Sequence, residues 1–274
     1  MKYHYIQVEI DSKHKTSYFT GSMLRGAMGY ALKKVTCINP SYNCDGCFAS
    51  SSCLFYQFYE TKNSIHNYRF DIELGSGKFN FGLYLFNDAC GNVAYVLSAL
   101  EILLKKNGLG KENHTFEKIE MYLNGEIVYQ DGVFSSLDIA SKTFETKSSF
   151  KNLKIKLLTP LRIKKNNKFL RDDIDLKDIL RSINQREQEL LGHRAYSLNY
   201  EPSYTITVKV LSHKVLARNS NRQKTRMNMD GIVGEMAVLG IDKESHRLLK
   251  LGEVIGCGKQ VVMGLGKIKI EEIV

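Results

Sequence analysis

The stretch Tyr68-Arg69-Phe70-Asp71-Ile72-Glu73-Leu74-Gly75-Ser76-Gly77-Lys78-Phe79-Asn80-Phe81-Gly82-Leu83-Tyr84-Leu85 reads as a β-hairpin. Tyr68, Phe70, Ile72 and Leu74 alternate with Arg69, Asp71 and Glu73, the period of a strand with one buried face. Gly75-Ser76-Gly77 supplies the turn, and Phe79, Phe81, Leu83 and Leu85 alternate on the return. On both sides the period changes to that of a helix. Leu24, Met28, Ala31, Leu32 and Val35 share one face of a segment from Gly21 to Val35. Val93, Val96, Leu97, Leu100, Leu103 and Leu104 do the same after the hairpin, with Asn107-Gly108 as the stop signal. Outermost lie extended segments: Ile6, Val8 and Ile10 alternating with Gln7 and Glu9, then Phe116–Leu123 and Glu126–Tyr129. The order is β-α-β-β-α-β, the ferredoxin-like (RRM-like) unit.

The same order recurs downstream without any visible sequence repeat. Leu153, Ile155 and Leu157 alternate up to Pro160, and a basic loop follows with Arg162, Lys164, Lys165, Lys168 and Arg171. Asp175 is placed to cap a helix carrying Ile179, Leu180, Ile183, Leu190 and Leu191. The neighbouring Asp172 and Asp173 are acids at a helix start, where the dipole favours them. Tyr204, Ile206, Val208 and Val210 alternate. Gly231–Leu239 gives another element, weakened by Gly234, Lys243–Val254 a short helix, and Lys267-Ile268-Lys269-Ile270 a last strand. The polar stretch Ser135–Ser149 reads as a linker. The expected fold is therefore α+β: two tandem ferredoxin-like domains, residues 1–140 with a Cys-rich insertion at 37–53, and residues 150–274. Units of roughly 130 residues are of ordinary domain size.

A net charge of +10 over 274 residues favours a polyanionic partner such as nucleic acid or an anionic membrane surface. No apolar run approaches the roughly 18 residues of a membrane-spanning helix. The start, Met1-Lys2-Tyr3-His4-Tyr5-Ile6, alternates like a strand and lacks the apolar core of a signal peptide, so a reducing cytoplasm is the expected location. In that setting the six cysteines are metal ligands or free thiols rather than disulfides. No Walker-type phosphate loop, H-E-x-x-H or G-x-S-x-G motif occurs.

Two segments carry candidate phosphate chemistry. The first is Gly256-Cys257-Gly258-Lys259-Gln260-Val261-Val262-Met263-Gly264-Leu265-Gly266. Its two Gly-x-Gly pairs, Gly256/Gly258 and Gly264/Gly266, permit positive φ and close approach of a ligand to the backbone. Successive free N–H groups there would form an anion-binding concavity beside Lys259; the plainer alternative is two tight turns flanking a strand. The second segment lies between Glu201 and Asp230, where no acid occurs and Lys209, Lys214, Arg218, Arg222, Lys224 and Arg226 do. Asn219, Ser220, Asn221 and Gln223 sit among them. Basic groups neutralise phosphates and amides read base edges or sugar hydroxyls, so RNA binding is expected here; the alternative is a solvated basic loop.

Cys37, Cys44, Cys47 and Cys53 are spaced C-x6-C-x2-C-x5-C. Four thiolates so close in sequence can surround Zn²⁺ tetrahedrally, with Cys44-Asp45-Gly46-Cys47 as a knuckle. An iron–sulfur cluster also takes four cysteines. A structural zinc is the expectation, because the loop has little apolar content to order it otherwise. Cys90 and Cys257 read as bystanders.

Several of these stretches together resemble one family. They are Leu24-Arg25-Gly26-Ala27-Met28-Gly29-Tyr30-Ala31-Leu32; the four cysteines with the aromatic run Phe55-Tyr56-Gln57-Phe58-Tyr59-Glu60; Ala217–Lys224 continuing through Met229-Asp230-Gly231-Ile232-Val233-Gly234-Glu235; and Gly256–Gly266, which matches a G-x-G-x-x-x-x-x-G-x-G loop at all four glycines. The chain is similar to the CRISPR precursor-RNA processing endoribonucleases of the RAMP superfamily. The resemblance implies two ferredoxin-like domains. It also implies cleavage of CRISPR repeat RNA without a metal ion, by attack of a 2′-hydroxyl on the adjacent phosphate to leave a 2′,3′-cyclic phosphate. The alternative is a non-catalytic subunit that holds guide RNA in an effector complex.

Such a reaction needs in-line alignment, a proton acceptor or donor, and cations at the developing charge. Arg222, Lys224, Lys259 and the loop amides are candidates for the last task. The family often uses histidine as its acid–base group, yet none of the seven histidines here lies in the first helix. His213, on the approach to the basic segment, is the first candidate; His193, after Gly192, is second; Tyr30 is third. Arg25 is placed either to bind phosphate or to pair with an acid.

Overall fold

The structure is a computed structural model that describes residues 1–61, 65–135, 138–146, 150–194, 196–220 and 225–273, with backbone alone at 218–220, 225 and 226. It divides into two compact units, Met1–Thr143 and Phe144–Val274.

The first unit contains β1 (Lys2–Ile10), α1 (Gly21–Thr36), β2 (Tyr68–Asp71), β3 (Phe81–Phe86), α2 (Val93–Ile102), β4 (Ile119–Leu123), β5 (Glu126–Gln130), β6 (Val133–Phe134) and β7 (Lys142–Thr143). Its sheet runs β2-β3-β1-β4-β5-β6, with β7 beside β1. The first four strands thus stand in the 2-3-1-4 order of a ferredoxin-like unit. The hairpin forms in the register its alternation requires, with Tyr68 opposite Leu85 and Phe70 opposite Leu83. Ile6, Val8, Phe70, Leu83 and Leu85 face the helices and are buried with Leu24, Met28 and Leu32 of α1 and Val96, Leu97 and Leu100 of α2. Each such side chain contributes about 1.5–3 kcal/mol by leaving water. Lys142 and Thr143, inside the stretch read as a linker, pair instead with Tyr3 and Lys2.

The second unit contains β8 (Leu153–Leu161), β9 (Lys164–Lys165), β10 (Lys168–Phe169), α3 (Leu176–Leu190), β11 (Thr205–Lys214), β12 (Ala217–Ser220), β13 (Thr225–Asn228), β14 (Gly231–Leu239), α4 (Lys243–Ile255) and β15 (Ile268–Glu272). Its main sheet runs β11-β14-β8-β15, again 2-3-1-4. Both helices start on an aspartate cap: Asp175 Oδ1 accepts the Lys177 N–H at 2.8 Å, and Asp242 Oδ1 accepts the Ser245 N–H at 2.8 Å.

Three details differ from the sequence reading. The basic loop after β8 is a two-stranded ribbon, β9–β10, turned by Asn166 and Asn167 in left-handed conformations. Ala217–Ser220 and Thr225–Asn228 pair as a second ribbon, β12–β13, that extends the β11–β14 hairpin. Val261–Met263 is a single 3-10 turn, not a strand. Gly234 does not break β14. Its φ of 131° marks the slip of β14 against β8 between Ile232 and Gly234, and a Cβ there would run into the Val210 carbonyl oxygen.

Candidate nucleic-acid interface

The site builds from the loop that joins α4 to β15. Its four paired glycines all have positive φ: 76° at Gly256, 83° at Gly258, 80° at Gly264 and 68° at Gly266. Glycine is required for space as well as conformation, since a Cβ on Gly258 would stand 2.7 Å from the Arg162 carbonyl oxygen and one on Gly266 would overlap the Cys257 carbonyl. The amides of all four glycines, and those of Cys257 and Lys259, are committed to protein acceptors, Gly256 to Gly252 O at 2.9 Å. The Cys257 N–H donates to Gly266 O (2.9 Å), Gly258 to Ser182 Oγ (2.9 Å), Lys259 to Arg162 O (2.8 Å), Gly264 to Val261 O (2.9 Å) and Gly266 to Pro160 O (3.1 Å). The expectation of an open anion-binding concavity in these amides is therefore corrected. The loop is a latch that closes on the end of β8 and on α3, with Cys257, Val261, Met263 and Leu265 buried beneath it. Burial pushes the Cys257 thiol up to about 12, which removes it from thiolate chemistry. Lys259 remains on the exposed side.

What the latch positions is Arg162, at the foot of β8. This arginine is only 6% exposed. Its Nε donates to Gln260 Oε1 at 2.8 Å, its Nη1 donates to the Asp230 carbonyl oxygen, and its guanidinium lies 4.4 Å from the Phe169 ring centroid. Gln260 adopts φ 61° to reach it. Burial lowers the guanidinium's pKa from its ordinary value, and the Asp230 charge opposes that shift.

Asp230 is the hub of the arrangement. Its Oδ1 accepts the Leu216 N–H at 3.1 Å and its Oδ2 accepts the Asn228 amide at 2.6 Å, so the carboxylate pins both roots of the β12–β13 ribbon. Burial alone would raise its pKa. The Leu216 N–H, Asn228, His213 and Arg162 outweigh burial and hold it below the usual carboxylate range. Asp230 Oδ2 stands 3.8 Å from His213 Nε2 on β11. That ring nitrogen is buried and makes no hydrogen bond among the described residues. A carboxylate thus flanks an imidazole at the base of a basic ribbon, within reach of a buried guanidinium network.

Around this centre the surface is cationic. Lys164 and Lys168 are exposed on the β9–β10 ribbon, with Lys164 Nζ 5.1 Å from the Phe169 ring centroid. Lys165 is tied to Asp178 at 3.1 Å and Lys209 pairs with Asp173, so these two are partly neutralised. Arg218 and Asn219 belong to β12 and Arg226 to β13, where Asn219 is opposite Arg226. Asn221, Arg222, Gln223 and Lys224 lie outside the described residues.

The other two acid–base candidates are in plainer surroundings. His193 is exposed just past α3, and its Nδ1 is 3.0 Å from Gln188 Oε1. Tyr30, on α1 of the first unit, is 62% exposed with Lys34 Nζ 4.8 Å from its ring centroid. Arg25 lies with its guanidinium carbon 4.9 Å from the Tyr59 ring centroid.

Arg162, Asp230 and Gln260 are the site residues that the sequence reading did not single out. Asp230 had a signal, because it is the acid that ends the acid-free stretch. Arg162 was indistinguishable from its basic neighbours, and Gln260 was one polar residue in a glycine-rich loop.

Cys37, Cys44, Cys47 and Cys53 are free, half-buried thiols that line one small cavity together with Thr36, Ile38 and Phe55. No group of three or more His, Cys, Asp or Glu side chains among the described residues stands at metal-ligating spacing. No helix among them is long and apolar enough to cross a membrane.

Comparisons with known proteins agree with this architecture. Residues 1–141 match the family model of the AF_1859 N-terminal domain, and residues 155–268 match that of the CRISPR-associated endoribonuclease Cas6. An uncharacterized protein of Archaeoglobus fulgidus is 21% identical over 92% of this chain and 91% of its own. Among solved structures, a Thermus thermophilus Cas6 product complex is similar with a TM-score of 0.58 at 14% identity, over 99% of both chains. A second Cas6 product complex gives a TM-score of 0.57 at 12% identity, over 99% of this chain and 100% of that one. At such identities the structural likeness is one of fold.

Proposed function

We propose that this chain, whose residues 155–268 match the family model of the CRISPR-associated endoribonuclease Cas6, is an endoribonuclease of that kind and cuts the repeat sequences of precursor CRISPR RNA by a metal-independent attack of a 2′-hydroxyl. The observation that carries the proposal is His213 Nε2 standing 3.8 Å from Asp230 Oδ2, with no hydrogen-bond partner among the described residues. The 2′-oxygen gives up its proton and forms a bond to the adjacent phosphorus. The bond from phosphorus to the 5′-oxygen breaks, and that oxygen takes up a proton. The products are a 2′,3′-cyclic phosphate and a 5′-hydroxyl.

His213 is the residue assigned to proton transfer at one of these two oxygens. The Asp230 carboxylate, 3.8 Å from Nε2, offsets the positive charge that the imidazole gains when it accepts a proton. Arg162 holds Asp230 in place from behind through its carbonyl oxygen, and Gln260 and Phe169 hold Arg162. The phosphates are bound by the cations that remain exposed, Lys164, Lys168 and Lys259, together with Arg218 and Arg226 of the ribbon strands and the basic residues Arg222 and Lys224 between them in sequence. Asn219, Asn221 and Gln223 read bases or sugar hydroxyls. The glycine latch supports this surface from within, so Gly256, Gly258, Gly264 and Gly266 act on RNA binding through the shape of the loop.

The related Cas6 structures are themselves product and substrate-mimic complexes, which supports an RNA ligand here. One relative is part of a Cas6–RT–Cas1–Cas2 complex, which favours association with other CRISPR subunits.

The test is cleavage of the host's own repeat RNA in EDTA, beside RNAs carrying a single 2′-deoxy substitution at each bond. One cut, abolished by one deoxy substitution and leaving a cyclic phosphate, is the expected result. Tight binding with no cut would make the chain a guide-RNA carrier. Binding without preference for the repeat would make it a general RNA-binding protein.

A further inference from the structure

From the geometry of the cysteine loop we infer that the first unit holds one structural Zn²⁺ between the thiolates of Cys37, Cys44, Cys47 and Cys53, independently of the catalytic reading above. Four observations converge on this loop. All four thiols line a single cavity of about 20 Å³, with no other cysteine near it. Cys44 and Cys47 flank a tight turn in which Gly46 takes φ 65° and the Cys47 N–H donates to Cys44 O at 3.4 Å, the compact two-residue spacing of a metal knuckle.

The loop also lacks a core of its own: Ile38 is 70% exposed and Phe48 is 74% exposed. A segment that buries so little apolar surface gains its order from a crosslink. Finally, Cys37 is the C-cap of α1, its N–H donating to Lys33 O at 2.9 Å, while Cys53 opens the turn that leads into the aromatic run. A metal held by both ends would fasten one to the other.

Binding replaces four S–H bonds with four Zn–S bonds of about 2.3 Å and releases the four protons to solvent. The sulfurs do not stand at ligating spacing in this structure, so the ion draws them together across the cavity they share. Four thiolates on Zn²⁺ leave a net charge of −2, and Lys33 stands beside the site, its Nζ 5.2 Å from the Phe55 ring centroid and 5.5 Å from that of Tyr42.

The consequence reaches α1. Beyond Cys53, Leu54, Phe55 and Phe58 are buried, and the Tyr59 hydroxyl donates to Arg25 O at 2.9 Å. Gly29 leaves room for that ring, since a Cβ there would stand 2.7 Å from it. The metal would therefore seat the 54–60 segment on the α1 face that carries Arg25 and Gly29. Cys90 plays no part: it is buried in the same unit, and burial raises its thiol to about 11.

The test is metal analysis of the full-length protein purified without chelator. We expect about one zinc per chain, released by a mercurial reagent, and a loss of most of it in Cys44→Ser and Cys47→Ser. Wild-type protein reconstituted with Co²⁺ should show the visible bands of a tetrahedral thiolate site, a reading that stands even if the serine variants fail to fold. A folded, metal-free protein whose four thiols react with a disulfide reagent equally fast with and without added Zn²⁺ would overturn the inference. Iron with acid-labile sulfide in place of zinc would overturn it equally.

Discussion

The two units share one strand order, and two of the connections in which they differ bear on the candidate site. In the first unit, β2 and β3 are joined by the segment 72–80, whose Gly75 N–H donates to Tyr18 O, and α2 returns to β4 through a loop closed by a Leu109–His114 bridge. In the second, the corresponding hairpin grows into the β12–β13 ribbon, and the corresponding loop is the glycine latch. The sheet and helices are alike because alternation and amphipathic faces allow few other ways to bury both. The connections diverge because nothing in the core constrains their length. The candidate site lies where the second unit is elaborated: Asp230, Arg162 and Gln260 all belong to these connections or to the strand end they grip.

Breaking a glycine in each unit should give the largest contrast. Gly266→Ala places a Cβ on the Cys257 carbonyl at a left-handed φ of 68° and should destabilise the second unit by about 3 kcal/mol or more. Gly77→Ala, at φ 69° but with nothing within 4 Å of the new methyl, should cost about 1 kcal/mol. Denaturant melts of the two variants measure the difference, and equal losses would remove the latch from the account. Next comes Arg162→Met, which keeps the volume but strands the Asp230 carbonyl and Gln260. A loss of about 1–3 kcal/mol is expected in the same assay.

RNA binding sharpens the contrast at its outer edge. The double change Arg222→Ala with Lys224→Ala should weaken binding and reduce the salt slope by about 1.4, two single-strand phosphate contacts. Lys78→Ala, exposed at the hairpin turn of the first unit, should leave the slope unchanged. Titration at several salt concentrations separates the two.

The smallest effect is one in which the units should behave alike. Burial lowers the pKa of His4 in the first unit, against a bond to Asn124, and burial followed by Lys250 lowers that of His246 in the second, against Glu272 and Glu253. Each histidine therefore binds its proton more readily unfolded than folded. Its contribution is intact above the unfolded pKa of about 6.5 and is lost as pH falls through the lower folded value. Thermal melts between pH 8 and pH 5 should fall in both units, and His246→Gln should flatten the curve for the second unit alone.

Much of the fold was legible because it rests on local patterns. The alternation at Tyr68–Leu85 and the cap at Asp175 each report on their own neighbourhood, and the tandem order followed from them. The site was less legible because its partners are distant in sequence. The direction of the latch amides depends on Pro160, Arg162 and Ser182, which lie more than 70 residues upstream. The burial of Arg162 depends on Gln260, Asp230 and Phe169 together. His213 stood out from the sequence by its place before the basic segment. The carboxylate that distinguishes it from His193 became visible only when β11 and β14 were paired.

The most direct test is single-turnover cleavage of repeat RNA by His213→Ala and by His193→Ala, with binding measured on the same preparations. For His213→Ala we expect a rate loss of about 10²–10⁴-fold with affinity nearly unchanged, and for His193→Ala a rate close to that of the parent protein. Cleavage by His213→Ala at the parent rate would contradict the assignment and move the search for the acid–base group away from Asp230.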